Sequence, residues 1–289
     1  MRRGPLLTLL CVLLAGFGPA GAQAPAPAQS RFFTSSDGVR LHYLEAGPPR
    51  ARTIVLVPGW TMPSWIWTEQ IRAFSGRYRV VAFDPRGQGD SDAPAWGYEP
   101  NRRGKDIAEL ISRLGPEPVL LVGWSLGVLD SLAYLHADGD RHLAGLVLVD
   151  NSIGEEPAPA PSRRPRFGPR VPHEIMMRRF VRSMFHRPQS EAFLEDLTDA
   201  TLHTPQYAAD ALLAYPVPRT YWREAVYSTT KPVLYVVRPA LEGQAENLAR
   251  HDPAAETAIF PGAGHALFID EAARFNALMQ DFIARRIWP

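Results

Sequence analysis

Residues 118–137 read PVLLVGWSLGVLDSLAYLHA. Pro118–Val122 is a short apolar run with no polar face, as expected of a strand buried on both sides. Leu126–Ala137 repeats its apolar residues at helical spacing. Between them stands Gly123-Trp124-Ser125-Leu126-Gly127. Chance alone supplies about 0.1 G-x-S-x-G match in a chain this long, so the context must decide. Here the pattern joins a strand to a helix, the sharp turn that lifts a serine above a sheet. Gly123 and Gly127 let neighbouring backbones pass close to it. The start of the helix aims N–H groups at developing negative charge.

The same rhythm extends in both directions. Arg31–Tyr43 reads as a strand pair turning at Ser36-Asp37-Gly38. Thr53–Val57 and Tyr78–Phe83 read as strands, with helices over Trp65–Phe74 and Arg102–Leu114. Leu143–Val149 is the next strand. Strands apolar on both faces, alternating with helices, predict an α/β fold with a mostly parallel sheet between helical layers. Asp150 to about Thr230 contains no convincing strand. The rhythm then resumes with the strand Pro232–Val237, a helix near Gln244–Arg250, the strand Thr257–Phe260 and the helix Asp270–Arg286. The predicted organisation is a core of residues 31–150 and 231–289, with a helical cap inserted at 151–230.

A serine hydroxyl is a weak nucleophile without a base. His265 is the best candidate, in Pro261-Gly262-Ala263-Gly264-His265, a flexible loop after the last strand. The order serine, then histidine near the chain end, is the one such a sheet uses. The orienting acid has two candidates. Asp150 ends the strand after the nucleophile helix, at the sheet edge where ligands bind. Glu242 follows the next strand, in Val237-Arg238-Pro239-Ala240-Leu241-Glu242. Asp150 is favoured. Two backbone amides are needed for an oxyanion, and Leu126 and Trp60 would supply them. Trp124 and Thr61 are expected at the substrate pocket.

The N-terminus reads as a secretory signal peptide over residues 1–22. Arg2 and Arg3 precede an apolar run from Leu6 to Phe17, and Ala20-Gly21-Ala22 offers a small-residue cleavage site. Gln23–Ser30 would follow as a flexible tether. The expectation is a secreted or periplasmic protein. The only cysteine is Cys11, so no disulfide framework can form. Lys and Arg total 31 against 30 Asp and Glu, which leaves no chain-wide basic footprint for nucleic acid.

In the cap, Arg163, Arg164, Arg166, Arg170, Arg178, Arg179, Arg182 and Arg187 face one acid, Glu174. Ile175, Met176, Met177, Phe180, Val181, Met184 and Phe185 recur at helical spacing. The stretch reads as a basic amphipathic helix. It is a lid over the pocket, a contact for a membrane or other anionic surface, or a helix packed on the core with a solvated face.

Taken together, these residues resemble the α/β-hydrolase superfamily, over about Arg31 to Ile287. Asp84-Pro85-Arg86-Gly87-Gln88-Gly89-Asp90-Ser91-Asp92 looks like the D-x-R-G-x-G-x-S turn of such enzymes, where it is structural. Gly59-Trp60 with the Trp124-Ser125 elbow is similar to pimeloyl-carrier-protein methyl ester esterases, and to arylesterases and cofactor-free haloperoxidases. Pro58 stands where the family usually has His, and Val128 where it has a second Gly. The usual Gly-x-x-Asp after the penultimate strand is missing. A subset of the superfamily carries its acid one strand earlier, which agrees with Asp150. Serine rather than aspartate at the nucleophile argues against haloalkane dehalogenases and epoxide hydrolases.

The resemblance implies a serine hydrolase acting on a small carboxylic ester, with no metal or organic cofactor. Thioesterase, lactonase and perhydrolase share the same triad. A membrane-surface lipase and a non-catalytic binding protein of the same fold are more distant readings.

Overall fold

All five residues of Thr53–Val57 (β3) are buried, and so are all six of Val119–Trp124 (β5). Side chains alternate across a strand. Val55, Val57 and Leu121 therefore enter one apolar layer, and Ile54, Leu56, Leu120 and Val122 the other. A strand apolar on both sides needs a helix over each face.

A computed structural model describes residues 27–159 and 171–289. The strands are Gln29–Thr34 (β1), Arg40–Ala46 (β2), β3, Arg79–Asp84 (β4), β5, Leu143–Val149 (β6), Val233–Val237 (β7) and Glu256–Ile259 (β8). They form one sheet in the order β1-β2-β4-β3-β5-β6-β7-β8. β2 runs antiparallel to both its neighbours, β1 and β4, and the remaining pairs are parallel.

The helices before the insertion are Thr68–Phe74 (α1), Pro100–Leu114 (α2) and Leu126–Asp138 (α3). His173–Ser183 (α4), Glu191–His203 (α5), Gln206–Leu212 (α6) and Arg219–Ser228 (α7) lie between β6 and β7. Glu242–His251 (α8), Leu267–Asp270 (α9) and Ala272–Phe282 (α10) follow. α2, α3, α7 and α8 contribute to one apolar layer; α1, α5 and α10 contribute to the other.

Three boundaries differ from the sequence reading. β1 takes the last two residues of the expected tether, because Gln29 and Ser30 pair with Glu45 and Leu44. The helix expected from Trp65 opens as a 3-10 turn over Ser64–Trp67. The last helix is broken at Glu271, whose backbone (φ −123°, ψ 47°) is not helical, and it ends in a wider turn over Ile283–Ile287.

The expected signal peptide lies outside the described residues, as do Arg163, Arg164, Arg166 and Arg170. On α4 the apolar residues divide. Met177 and Val181 are buried, whereas Ile175 and Met176 are 43% and 45% exposed. No described helix is long and apolar enough to cross a membrane.

β5, β6 and β7 are consecutive neighbours in the sheet. Their carboxyl ends therefore present Ser125, Asp150 and Arg238 side by side, and the loop after β8 carries His265 to the same edge.

Candidate active site

The elbow is strained in the way its glycines allow. Ser125 adopts φ 55° and ψ −120° at the junction of β5 and α3. A Cβ on Gly123 would lie 2.3 Å from the Gly127 carbonyl oxygen, and one on Gly127 would lie 2.4 Å from that of Val57. Those distances exclude any side chain at either position. The Ser125 carbonyl is held by Asn151 Nδ2 at 2.8 Å. Among the described residues only three non-glycine residues have positive φ: Thr61, Ser125 and Asp150. All three were singled out from the sequence, and all three lie at this site. Backbone strain of this kind is retained where the surroundings enforce it.

Ser125 Oγ lies 2.8 Å from His265 Nε2, and His265 Nδ1 lies 2.6 Å from Asp150 Oδ2. The structure thus brings together the three residues expected to act as nucleophile, base and orienting acid. Glu242, the other candidate acid, begins α8 and does not hydrogen-bond His265 among the described residues. The Asp150 side chain is fully buried. Burial alone would push its carboxyl up. The hydrogen bond and charge of His265, together with the nearby Arg238 guanidinium, outweigh that cost and hold it below its ordinary value.

Arg238 was not read as functional from the sequence. Its backbone N–H donates to Asp150 Oδ1 at 3.0 Å and its Nε to Oδ2 at 2.6 Å. A cation thus stands at the end of β7, where the family usually places the acid, and it braces the carboxylate one strand away. Asp270 was also missed. It accepts the N–H groups of Gly264 and His186, each at 2.7 Å, and so ties the His265 loop to the segment after α4. Neither residue sits at a spacing that marks it, because each acts on backbone or charge brought close only by folding.

Trp124 and Thr61 differ from their expected place at the pocket. Trp124 is 1% exposed, and its indole N–H donates to the His265 carbonyl at 2.8 Å. It fastens the base loop to the sheet. Thr61 is fully buried, and its N–H donates to Gln88 Oε1 at 2.8 Å. Trp60 is half-buried. Its indole donates to the Ala209 carbonyl on α6 at 2.7 Å, and its ring meets Phe180 of α4 edge-on at 5.1 Å. Helices of the insertion therefore cover the loop after β3. Among the described residues, the backbone N–H groups of Trp60 and Leu126 have no protein acceptor outside regular helix and strand pairing.

Elsewhere, His42, Asp84 and Asp90 bring possible ligand atoms within 4.8 Å of one another, the one such metal-like group among the described residues. Asp84 already accepts from His42 Nδ1 and from the N–H groups of Ser64 and Asp90. The group therefore closes the turn after β4. A cavity of about 340 Å³ beside it is lined by His42, Trp65, Asp84, Asp199 and His203, and by none of Ser125, His265 or Asp150.

Residues 54–278 match the model of an alpha/beta hydrolase family. The chain belongs to that family.

A soluble epoxide hydrolase of Corynebacterium sp. (strain C12) is 35% identical over 117 residues, 40% of each chain. A non-heme chloroperoxidase of Streptomyces lividans is 32% identical over 117 residues, 40% of this chain and 42% of that protein. The matched segments thus span about two fifths of these curated relatives. The solved structure of an esterase from Rhodococcus sp. ECU1013 superposes with a TM-score of 0.74 at 26% identity, covering 89% of this chain and 99% of that chain.

Proposed function

We propose that this chain is an exported serine hydrolase that cleaves a carboxylic ester through an acyl-enzyme. The reading is carried by one observation: Ser125 Oγ, on a left-handed turn at a helix start, stands 2.8 Å from the Nε2 of His265, itself aligned by a buried carboxylate. Ser125 attacks the ester carbonyl as His265 takes its proton. The amides of Trp60 and Leu126 receive the oxyanion. The intermediate collapses, and His265 returns the proton to the departing alcohol. Water, deprotonated by His265, then attacks the acyl-enzyme and releases the acid and free Ser125. Asp150 holds the ring so that Nε2 faces the serine and balances the cation that forms.

The esterase likeness supports this reading. Serine in place of aspartate at the nucleophile favours acyl chemistry over the epoxide chemistry named for one relative. Export rests on the sequence of residues 1–22.

A second reading is a lipase working at an anionic lipid surface. It is favoured by Val171, Ile175 and Met176, which stay exposed beside Arg178 and Arg179.

Hydrolysis of p-nitrophenyl esters from acetyl to long acyl chains, by residues 23–289 with and without Ser125→Ala, tests the main reading. Ser125-dependent turnover is expected. Its absence in the folded protein on every chain length overturns the reading. Stimulation by anionic vesicles supports the second.

A further inference from the structure

The D-x-R-G-x-G-x-S turn is structural in most of its parts. Asp84 closes the turn, and the buried Arg86 pairs with Asp106 and Asp37. Gln88 is different. Its side chain is buried, and its hydrogen bonds all go to one distant loop. Oε1 accepts the Thr61 N–H at 2.8 Å. Nε2 donates to the carbonyls of Gly59 at 3.1 Å and Met62 at 3.3 Å. The three contacts straddle Trp60, whose N–H is the second oxyanion donor in the proposed reaction.

Peptide planarity turns these contacts into an orientation. In a trans peptide the carbonyl and the following N–H point in opposite directions. The Gly59 carbonyl faces Gln88, so the Trp60 N–H faces away from it. The same stretch runs beside the elbow: a Cβ on Gly59 would stand 3.0 Å from the Ser125 Cβ. The next peptide is held as well. Thr61 sits at φ 59°, a region that β-branched residues avoid. Rotation of the Trp60–Thr61 peptide would relieve that strain and would also remove the Thr61 N–H from Gln88. One amide side chain therefore bonds both peptides flanking Trp60, and the Gly59 carbonyl also accepts the Met62 N–H at 3.2 Å.

We infer that Gln88 is a positioning residue for the oxyanion site, which holds the Gly59–Trp60–Thr61 peptides with the Trp60 N–H turned toward Ser125 before substrate binds. This rests on the proposed ester-hydrolase reading. Gln88 acts through Trp60 and does not itself touch the reacting atoms. A preset donor avoids reorganisation during the reaction, and loss of one such donor costs roughly 100- to 1000-fold in kcat.

The test compares wild type with Gln88→Met, which keeps the volume, and Gln88→Glu, which keeps the acceptor but sets a carboxylate against two carbonyls. With a p-nitrophenyl ester, both variants are expected to lose about tenfold or more in kcat, with KM within about twofold. An alkyl boronic acid that forms a tetrahedral adduct on Ser125 should bind about tenfold or more weakly, because only the adduct needs the hole. Adding Thr61→Gly to Gln88→Met should restore part of kcat, since glycine holds positive φ without the clamp.

Unchanged kcat and boronate affinity in both variants would overturn the inference. So would a parallel change in kcat, KM and thermal midpoint that Thr61→Gly does not relieve. Absence of ester turnover in the wild type would instead overturn the ester-hydrolase reading.

Discussion

Two Ser–His–Asp arrays stand in this chain with the same spacings. In one, Ser125 Oγ is 2.8 Å from His265 Nε2, and His265 Nδ1 is 2.6 Å from Asp150. In the other, Ser30 Oγ is 2.8 Å from His42 Nε2, and His42 Nδ1 is 2.6 Å from Asp84. The surroundings separate them. Ser125 opens a helix at positive φ, with the Leu126 amide next in the chain and Gly59 of the loop after β3 packed against it. Ser30 lies in an extended edge strand paired with Leu44, so no turn aims amides past its hydroxyl. His265 sits in a loop with its side chain 23% exposed, whereas the His42 side chain is 2% exposed on β2. Asp150 meets a guanidinium; Asp84 meets backbone N–H groups that pin a turn. Two matched distances therefore do not make a reactive site. Access, a raised nucleophile and a place for the oxyanion do.

Substitution should separate the two arrays cleanly. Ser125→Ala or His265→Ala should reduce kcat by about 10⁶-fold, while Ser30→Ala leaves ester turnover intact. Comparable losses from Ser30→Ala would break the distinction. Asp150→Asn should lower kcat by about 10³- to 10⁴-fold, because the imidazole is no longer held in the required tautomer. Glu242→Gln should change it by less than about twofold, and the reverse ranking in steady-state kinetics would move the acid to Glu242.

The brace on Asp150 predicts a pH effect. Its carboxyl is held below the ordinary 3.8, so the ionised form contributes stability above that pH and is lost as pH falls through the depressed value. Arg238→Met removes one of the charges that hold it down. Acid unfolding, followed by circular dichroism, should then begin at higher pH than in wild type. An unshifted acid limb would show that His265 alone keeps the carboxylate ionised. The smallest effect belongs to the second array. His42→Leu should cost about 1–3 kcal/mol in urea unfolding, through the unmet acceptor on Asp84, with kcat unchanged. A fall in kcat would tie that array to the reaction.

How much of this was legible in the sequence follows from how each residue acts. Strands such as Thr53–Val57 and Leu143–Val149 were readable because burial on both faces leaves an unbroken apolar run. Ser125 was readable because its turn demands small neighbours at fixed spacing. His265 was readable from its glycine-rich loop and its place in chain order. Asp150 was favoured over Glu242 from its place at the sheet edge, but both follow strands, and it is the folded sheet that brings Asp150 to the imidazole. Gln88, Arg238 and Asp270 left no pattern. Gln88 and Arg238 contact groups far away in the chain, and Asp270 joins nearby Gly264 to distant His186, so no periodicity records these contacts. The helix break at Glu271 was missed because the apolar spacing continues across it.

The neighbouring ends of β6 and β7 have a consequence for descent. Asp150 and Arg238 are 88 positions apart in the chain, yet their strands are paired, about 4.8 Å from one another. Everything between them can lengthen, shorten or be exchanged without altering that adjacency. A carboxylate can move from one strand tip to the next in two point changes, leaving behind a vacancy that a cation fills. Heredity thus has two independent dials here: one long stretch of chain free to vary, and two fixed strand tips that keep Asp150 and Arg238 in register.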